Sequence, residues 1–99
     1  MRYGYRAMFV LLHHYQRTYF DDTIRKFINR YAPPVENDTA AYVNFVCSHS
    51  GKHAEQRITT ANREDMIAIV SAMSQMENGI PANPADVAAG WELFREDRL

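Results

Sequence analysis

Asn62-Arg63-Glu64-Asp65-Met66-Ile67-Ala68-Ile69-Val70-Ser71-Ala72-Met73-Ser74-Gln75-Met76-Glu77-Asn78-Gly79 is the stretch whose reading decides the fold. Met66, Ile69, Val70 and Met73 recur at three- and four-residue steps, the spacing that lines one face of an α-helix. Asn62 offers an oxygen to the free amides of the first turn, Glu64 and Asp65 set negative charge against the positive helix end, and Asn78-Gly79 stops the run. This is the fourth helix of the chain. After Ile80-Pro81-Ala82, Asn83 and Pro84 form the cap and first-position proline of a fifth, with Val87, Gly90, Trp91 and Phe94 on its inner face.

Upstream, Ser50 to Ala61 reads as a polar loop, and before it Tyr42, Phe45, Val46 and His49 give the stripe of a third helix begun by Asn37 or Asp38 and stopped by Gly51. Ile24, Phe27, Ile28 and Tyr31 predict a second helix, capped by Asp22 and ended where Pro33 disfavours a helical Ala32. Tyr5, Met8, Phe9, Leu12, Tyr15 and Tyr19 predict a first, with Val10 and Leu11 widening its stripe. No strand-like alternation competes. The fold class is all-α: a compact orthogonal bundle of about five short helices forming a single domain over residues 1–99.

A composition of 46% hydrophobic and 23% charged residues lies inside the globular range and argues against intrinsic disorder. No apolar run approaches the roughly 20 residues of a membrane span, and Arg2, Arg6, His13, His14 and Arg17 break the N-terminal stretch too often for a secretory signal. One cysteine, Cys47, precludes an internal disulfide and fits a reducing compartment. Up to Tyr31 there are six Lys/Arg against two Asp, and beyond it five against ten acids, so the chain is polarised along its length. A basic first third could face an anionic partner, although solvated charge on helix surfaces is the better explanation.

The stiff corner Tyr31-Ala32-Pro33-Pro34-Val35-Glu36-Asn37-Asp38-Thr39 is where a functional site is expected. Glu77 continues the apolar stripe of helix four, so burial and the negative helix end are expected to favour its protonated form, as a general acid for glycoside cleavage requires. Glu36 and Asp38 are candidates for a second carboxylate or for contacts to sugar hydroxyls, if the fold brings the corner to Glu77. Asp38 and Asn37 also suit plain helix capping. Cys47, His49 and His53 lack zinc-like spacing, so neither a metal nor another cofactor is expected. Tyr3, Tyr5, Tyr15, Tyr19, Tyr42 and Trp91 could offer a sugar-stacking surface, but their spacing suits a core.

As a set, Tyr3-Gly4-Tyr5-Arg6-Ala7-Met8-Phe9, Thr23-Ile24-Arg25-Lys26, the corner with Tyr42, Asn62-Arg63-Glu64-Asp65-Met66, Ala72-Met73-Ser74, Glu77-Asn78-Gly79 and Gly90-Trp91-Glu92-Leu93-Phe94 resemble a phage and prophage family of gut Bacteroidetes, whose members are described as virion structural or lysozyme-like proteins. The resemblance implies a lysozyme-like domain associated with peptidoglycan. Within it Glu77 and Glu36 take the catalytic positions, and Asn37, Asp38 and Tyr42 the substrate-binding ones. The family's preceding Asn-, Pro- and Gly-rich segment has no counterpart here. The expectation is therefore a truncated domain of weak or no glycosidase or transglycosylase activity, located in the host cytoplasm or on the virion. Loss of that cover would expose apolar surface on helix one, which a homodimer would hide. The competing expectation is a helical virion structural or protein-interaction module. A DNA-binding domain built on Arg25, Lys26 and Arg30 fits worst, because the double-proline connection is longer and stiffer than the turn of a helix-turn-helix and the net charge is only −1.

Overall fold

The computed structural model describes residues 2–97, in which five helices follow one another: α1 Arg2–Tyr19, α2 Ile24–Tyr31, α3 Thr39–Ser50, α4 Arg63–Asn78 and α5 Pro84–Glu96. Helix α1 packs mainly on α5, α3 packs on α4, and α2 lies against α3, with α4 linking the two pairs. Met66, Ile69 and Met73 are completely buried and so are Phe9 and Leu12 across from them, giving one continuous core. The Cα radius of gyration of 12.4 Å matches the roughly 13 Å of a well-packed chain of about 100 residues. Every described helix is thus part of one all-α body, as the periodicity predicts. None of them is long and apolar enough to cross a membrane.

The caps are the ones chemistry prescribes, with one exchange. Asn62, Asp38 and Asn83 each accept hydrogen bonds from amides of the first turn that follows them, and Gly51 and Gly79 end α3 and α4 with φ of 73° and 75°. At α2, however, the cap is Thr23, whose hydroxyl accepts from the Lys26 amide at 3.2 Å, rather than Asp22. Asp22 turns outward instead and pairs with Lys26 at 2.9 Å and Arg57 at 3.3 Å. These cations hold its carboxyl below the ordinary carboxylate range. The change of cap has a plain reason: Thr23 is buried, so its short hydroxyl satisfies an inward amide while the longer charged neighbour stays in water.

Two further expectations are corrected. Residues 51–62 are a loop, yet not merely a polar one: Ile58 and Thr60 are buried, and the Ile58 amide donates to the Asp22 carbonyl at 2.7 Å. Gln16 fastens this loop to α1. Its Nε2 donates to the carbonyls of Asp21 and Ile58, both at 2.9 Å, while its Oε1 accepts from the Thr60 amide at 2.9 Å and the Thr60 hydroxyl at 3.1 Å. His49, placed on the inner stripe of α3 by spacing, is instead exposed and stacks on Phe45 with ring centroids 3.9 Å apart, because the buried face is centred on Tyr42, Val43 and Val46.

Helix α1 ends without glycine. Phe20 takes φ 61°, a left-handed conformation that is strained for a bulky residue, and its amide closes the last turn onto the Gln16 carbonyl at 3.0 Å. The ring itself is 80% exposed, so no burial offsets that strain. Along the apolar stripe of α1, Tyr5, Phe9 and Leu12 are buried against α5 and α4, while Met8 and Val10 are partly covered. Tyr19 and Phe20, at the very end, are the large apolar side chains that stand in solvent there.

Candidate functional site

The corner is drawn tight by one buried bond: the Thr39 hydroxyl donates to the Ala32 carbonyl at 2.5 Å, bringing the start of α3 back to the end of α2. Tyr31 from α2 and Tyr42 from α3 therefore meet edge to face, with centroids 6.2 Å apart. The stop at Gly79 leaves Glu77 in the last turn of α4, and α3 packs on α4, so the Tyr42 hydroxyl donates to Glu77 Oε1 at 3.0 Å. Burial and then that hydrogen bond raise the Tyr42 pKa far above the usual phenol range. Tyr31 is raised too, first by burial and then by the Glu77 charge. Both phenols are thus kept as donors facing a carboxylate.

Glu77 is itself exposed, contrary to the burial expected from its place in the stripe. The reason is length: Met73 is the last fully buried side chain of α4, and one turn further on the helix has run past the core. A small concavity of about 170 Å³ lies alongside, lined by Glu77, Asn78, Ser74, Tyr5 and Met8. Its polar groups are already ordered, with the Tyr5 and Ser74 hydroxyls 3.1 Å apart and Asn78 Nδ2 donating to Ser74 Oγ at 3.3 Å.

Of the residues expected to accompany Glu77, Tyr42 is brought to it directly. Glu36, Asn37 and Asp38 are all exposed on the corner. Asn37 Nδ2 donates to the Pro33 carbonyl at 3.1 Å, Asp38 Oδ1 accepts from the Ala41 amide at 3.1 Å, and the Glu36 amide closes a turn onto Pro33 at 3.2 Å. Asn37 and Asp38 line a different concavity, with Arg25, Asn29, Pro34 and Val43, that shares no residue with the one beside Glu77. Tyr31 opens the corner singled out in the sequence but the helical stripe explains it as core, and Ser74, three residues before Glu77 on the same helix face, was not among the candidate site residues.

The remaining candidates resolve into structural roles. Trp91 is buried and packs edge-on against Phe9 at 5.2 Å, leaving no face for a sugar. Arg25 pairs with Glu55, Lys26 with Asp22, and Arg30 with the buried Asp21 at 2.6 Å while lying 3.7 Å over the Tyr19 ring. Each basic residue of α2 therefore already faces a carboxylate. Among the described residues no group of three or more His, Cys, Asp or Glu side chains has metal-binding geometry, and burial raises the Cys47 thiol.

An all-α body with an ordered carboxylate–phenol cluster at the end of its central helix is the class of protein so defined. No family model matches the chain. It is similar to Protein P5 of Pseudoalteromonas phage PM2, 40% identical over 91 residues, an alignment that covers 91% of this chain and 55% of the relative. The chain spans about half the length of that curated relative, and its likeness is to a phage protein.

Proposed function

We propose that this chain is a phage-derived, lysozyme-like helical module that binds peptidoglycan glycan at the Glu77 cluster and hydrolyses it weakly or not at all. The observation that carries the proposal is the exposed Glu77 carboxylate held by the Tyr42 hydroxyl beside Ser74, Asn78 and Tyr5. Sugar hydroxyls need such a fixed acceptor with donors around it, next to a ring surface. Two-acid glycosidase chemistry needs a second carboxylate about 5 to 10 Å from the first, and Glu77 is the one carboxylate among the residues lining the concavity. Glu36 remains the candidate for that role if the corner moves toward Glu77 when glycan binds.

Co-sedimentation with purified peptidoglycan, run beside a turbidity-clearing assay, tests this. The expected result is sedimentation without appreciable clearing, weakened by Glu77→Gln and less so by Tyr42→Phe. Clearing abolished by both Glu77→Gln and Glu36→Gln would establish a hydrolase instead, and unaltered sedimentation of Glu77→Gln would remove the cluster from the interface.

A second reading, a virion structural module held by protein contacts, is favoured by Val35 and Ile80, aliphatic side chains that are 93% and 66% exposed on the connections flanking α3 and α4. Substituting both by Ser should then abolish capture by virion proteins without altering glycan sedimentation.

A further inference from the structure

A cleft of about 690 Å³ lies away from the Glu77 cluster, between α1 and α5 under the 59–62 turn. That volume is within the range of small-molecule sites, roughly 300 to 1,000 Å³. Its floor is apolar, formed by the edges of Trp91 and Phe94. Its walls are basic: Arg17 comes from α1, Arg95 from α5 and Arg63 from the first turn of α4. The three arginines are remote in sequence, and only the packing of α1 on α5 and the Gln16-fastened loop gathers them.

Their charges are poorly compensated. Arg63 approaches Glu92 at only 3.9 Å, with both side chains 53% exposed, and Arg17 and Arg95 have no carboxylate partner among the described residues. Three guanidinium groups thus face one carboxylate. The buried Thr60 also lines the cleft, its hydroxyl already ordered by Gln16 and by His13 Nδ1 at 2.8 Å. Trp91, a lining residue only 3% exposed, also carries an indole Nε1–H that is buried without a hydrogen-bond acceptor among the described residues. A buried donor left unpaired is unfavourable.

We infer that this cleft binds a small phosphate monoester carrying a ring or other apolar body. The guanidinium fork matches a phosphate oxygen pair, and the excess of two positive charges over Glu92 matches a dianion, where a single carboxylate would leave one charge unmet. The apolar floor takes the ester's organic part. Nucleotides and lipid phosphates share this chemistry. The site is independent of the glycan-binding reading and stands or falls separately.

Trp91 is the chain's only tryptophan, so its emission reports the cleft alone. Phenyl phosphate titrated into the whole chain should change that emission saturably, and more tightly than inorganic phosphate or benzoate. Arg17→Gln and Arg95→Gln should each weaken binding roughly tenfold or more, the usual loss of one charge-assisted contact. Arg57→Gln, remote from the cleft, should leave it unchanged. Adenosine 5′-monophosphate and dihexanoyl phosphatidic acid then distinguish the source, the tighter binder naming it. The proposal is overturned by an unsaturable or absent response, by equal affinity for inorganic phosphate and phenyl phosphate, by an equal loss in Arg57→Gln, or by failure of both natural monoesters to bind.

Discussion

Gln16→Met is the substitution that most directly probes how this fold holds together. Methionine keeps the volume of the side chain and removes both polar ends. Four hydrogen bonds are lost, two to the carbonyls of Asp21 and Ile58 and two from the amide and hydroxyl of Thr60. Each is worth about 0.5 to 1.5 kcal/mol net, and Thr60 is only 2% exposed, so water cannot readily replace its partners. The Thr60 hydroxyl retains His13, which lowers the total to about 3 kcal/mol. For a domain of this size that corresponds to a fall in Tm of roughly 12 to 24 °C. Circular dichroism melting measures it, and hydrogen exchange at the Ile58 and Thr60 amides shows whether the loss is local to the loop. A midpoint within about 4 °C of the parent, with both amides still protected, would mean that Gln16 does not fasten the loop and would refute the reasoning. If it does, phosphate-monoester binding falls as well, since Thr60 and Arg63 form one wall of the cleft.

Three shorter predictions accompany it. Thr23→Ala should cost about 1 kcal/mol as the true cap of α2, measurably more than Asp22→Asn, and the reverse order in urea titration would restore Asp22 as the cap. Phe20→Gly should stabilise by about 1 kcal/mol, because glycine adopts φ 61° without strain and the exposed ring loses little contact; a lower Tm would show that the ring is held by packing. Tyr15, Tyr31 and Tyr42 all have pKa values raised chiefly by burial, so folding favours their protonated forms. That contribution is complete below the ordinary phenol pKa of 10.0 and is lost as pH rises above it, because the unfolded chain then releases protons that the folded chain retains. Phenolate absorbance should accordingly show these three ionising together with unfolding above pH 10, whereas their titration at the ordinary pKa in a folded chain would contradict the burial.

The local grammar of the helices was legible from residues alone. Asn62, Asp38, Asn83, Gly51 and Gly79 act within a few residues of themselves, so the chain near each one states where a helix starts or stops. The same holds for the stripe of Met66, Ile69, Val70 and Met73, since a helix has one periodicity and the core must take its apolar face. Local grammar failed where two neighbours compete for one role. Asp22 and Thr23 are both good caps, and only the burial of Thr23 chose between them. It failed likewise at Ile58, the single large aliphatic residue in a polar stretch, whose burial depends on the distant Gln16.

Which side chains meet across helices was decided by tertiary structure alone. Tyr42 and Glu77 are 35 residues apart, and their hydrogen bond follows from the packing of α3 on α4, which no spacing records. The exposure of Glu77 was equally hidden, because periodicity says which way a residue points and not how far the core extends beneath it. Arg17, Arg63 and Arg95 show the same limit: sequence fixes the face of the helix each one occupies, while the gathering of three faces around one cleft is a property of how the helices pack.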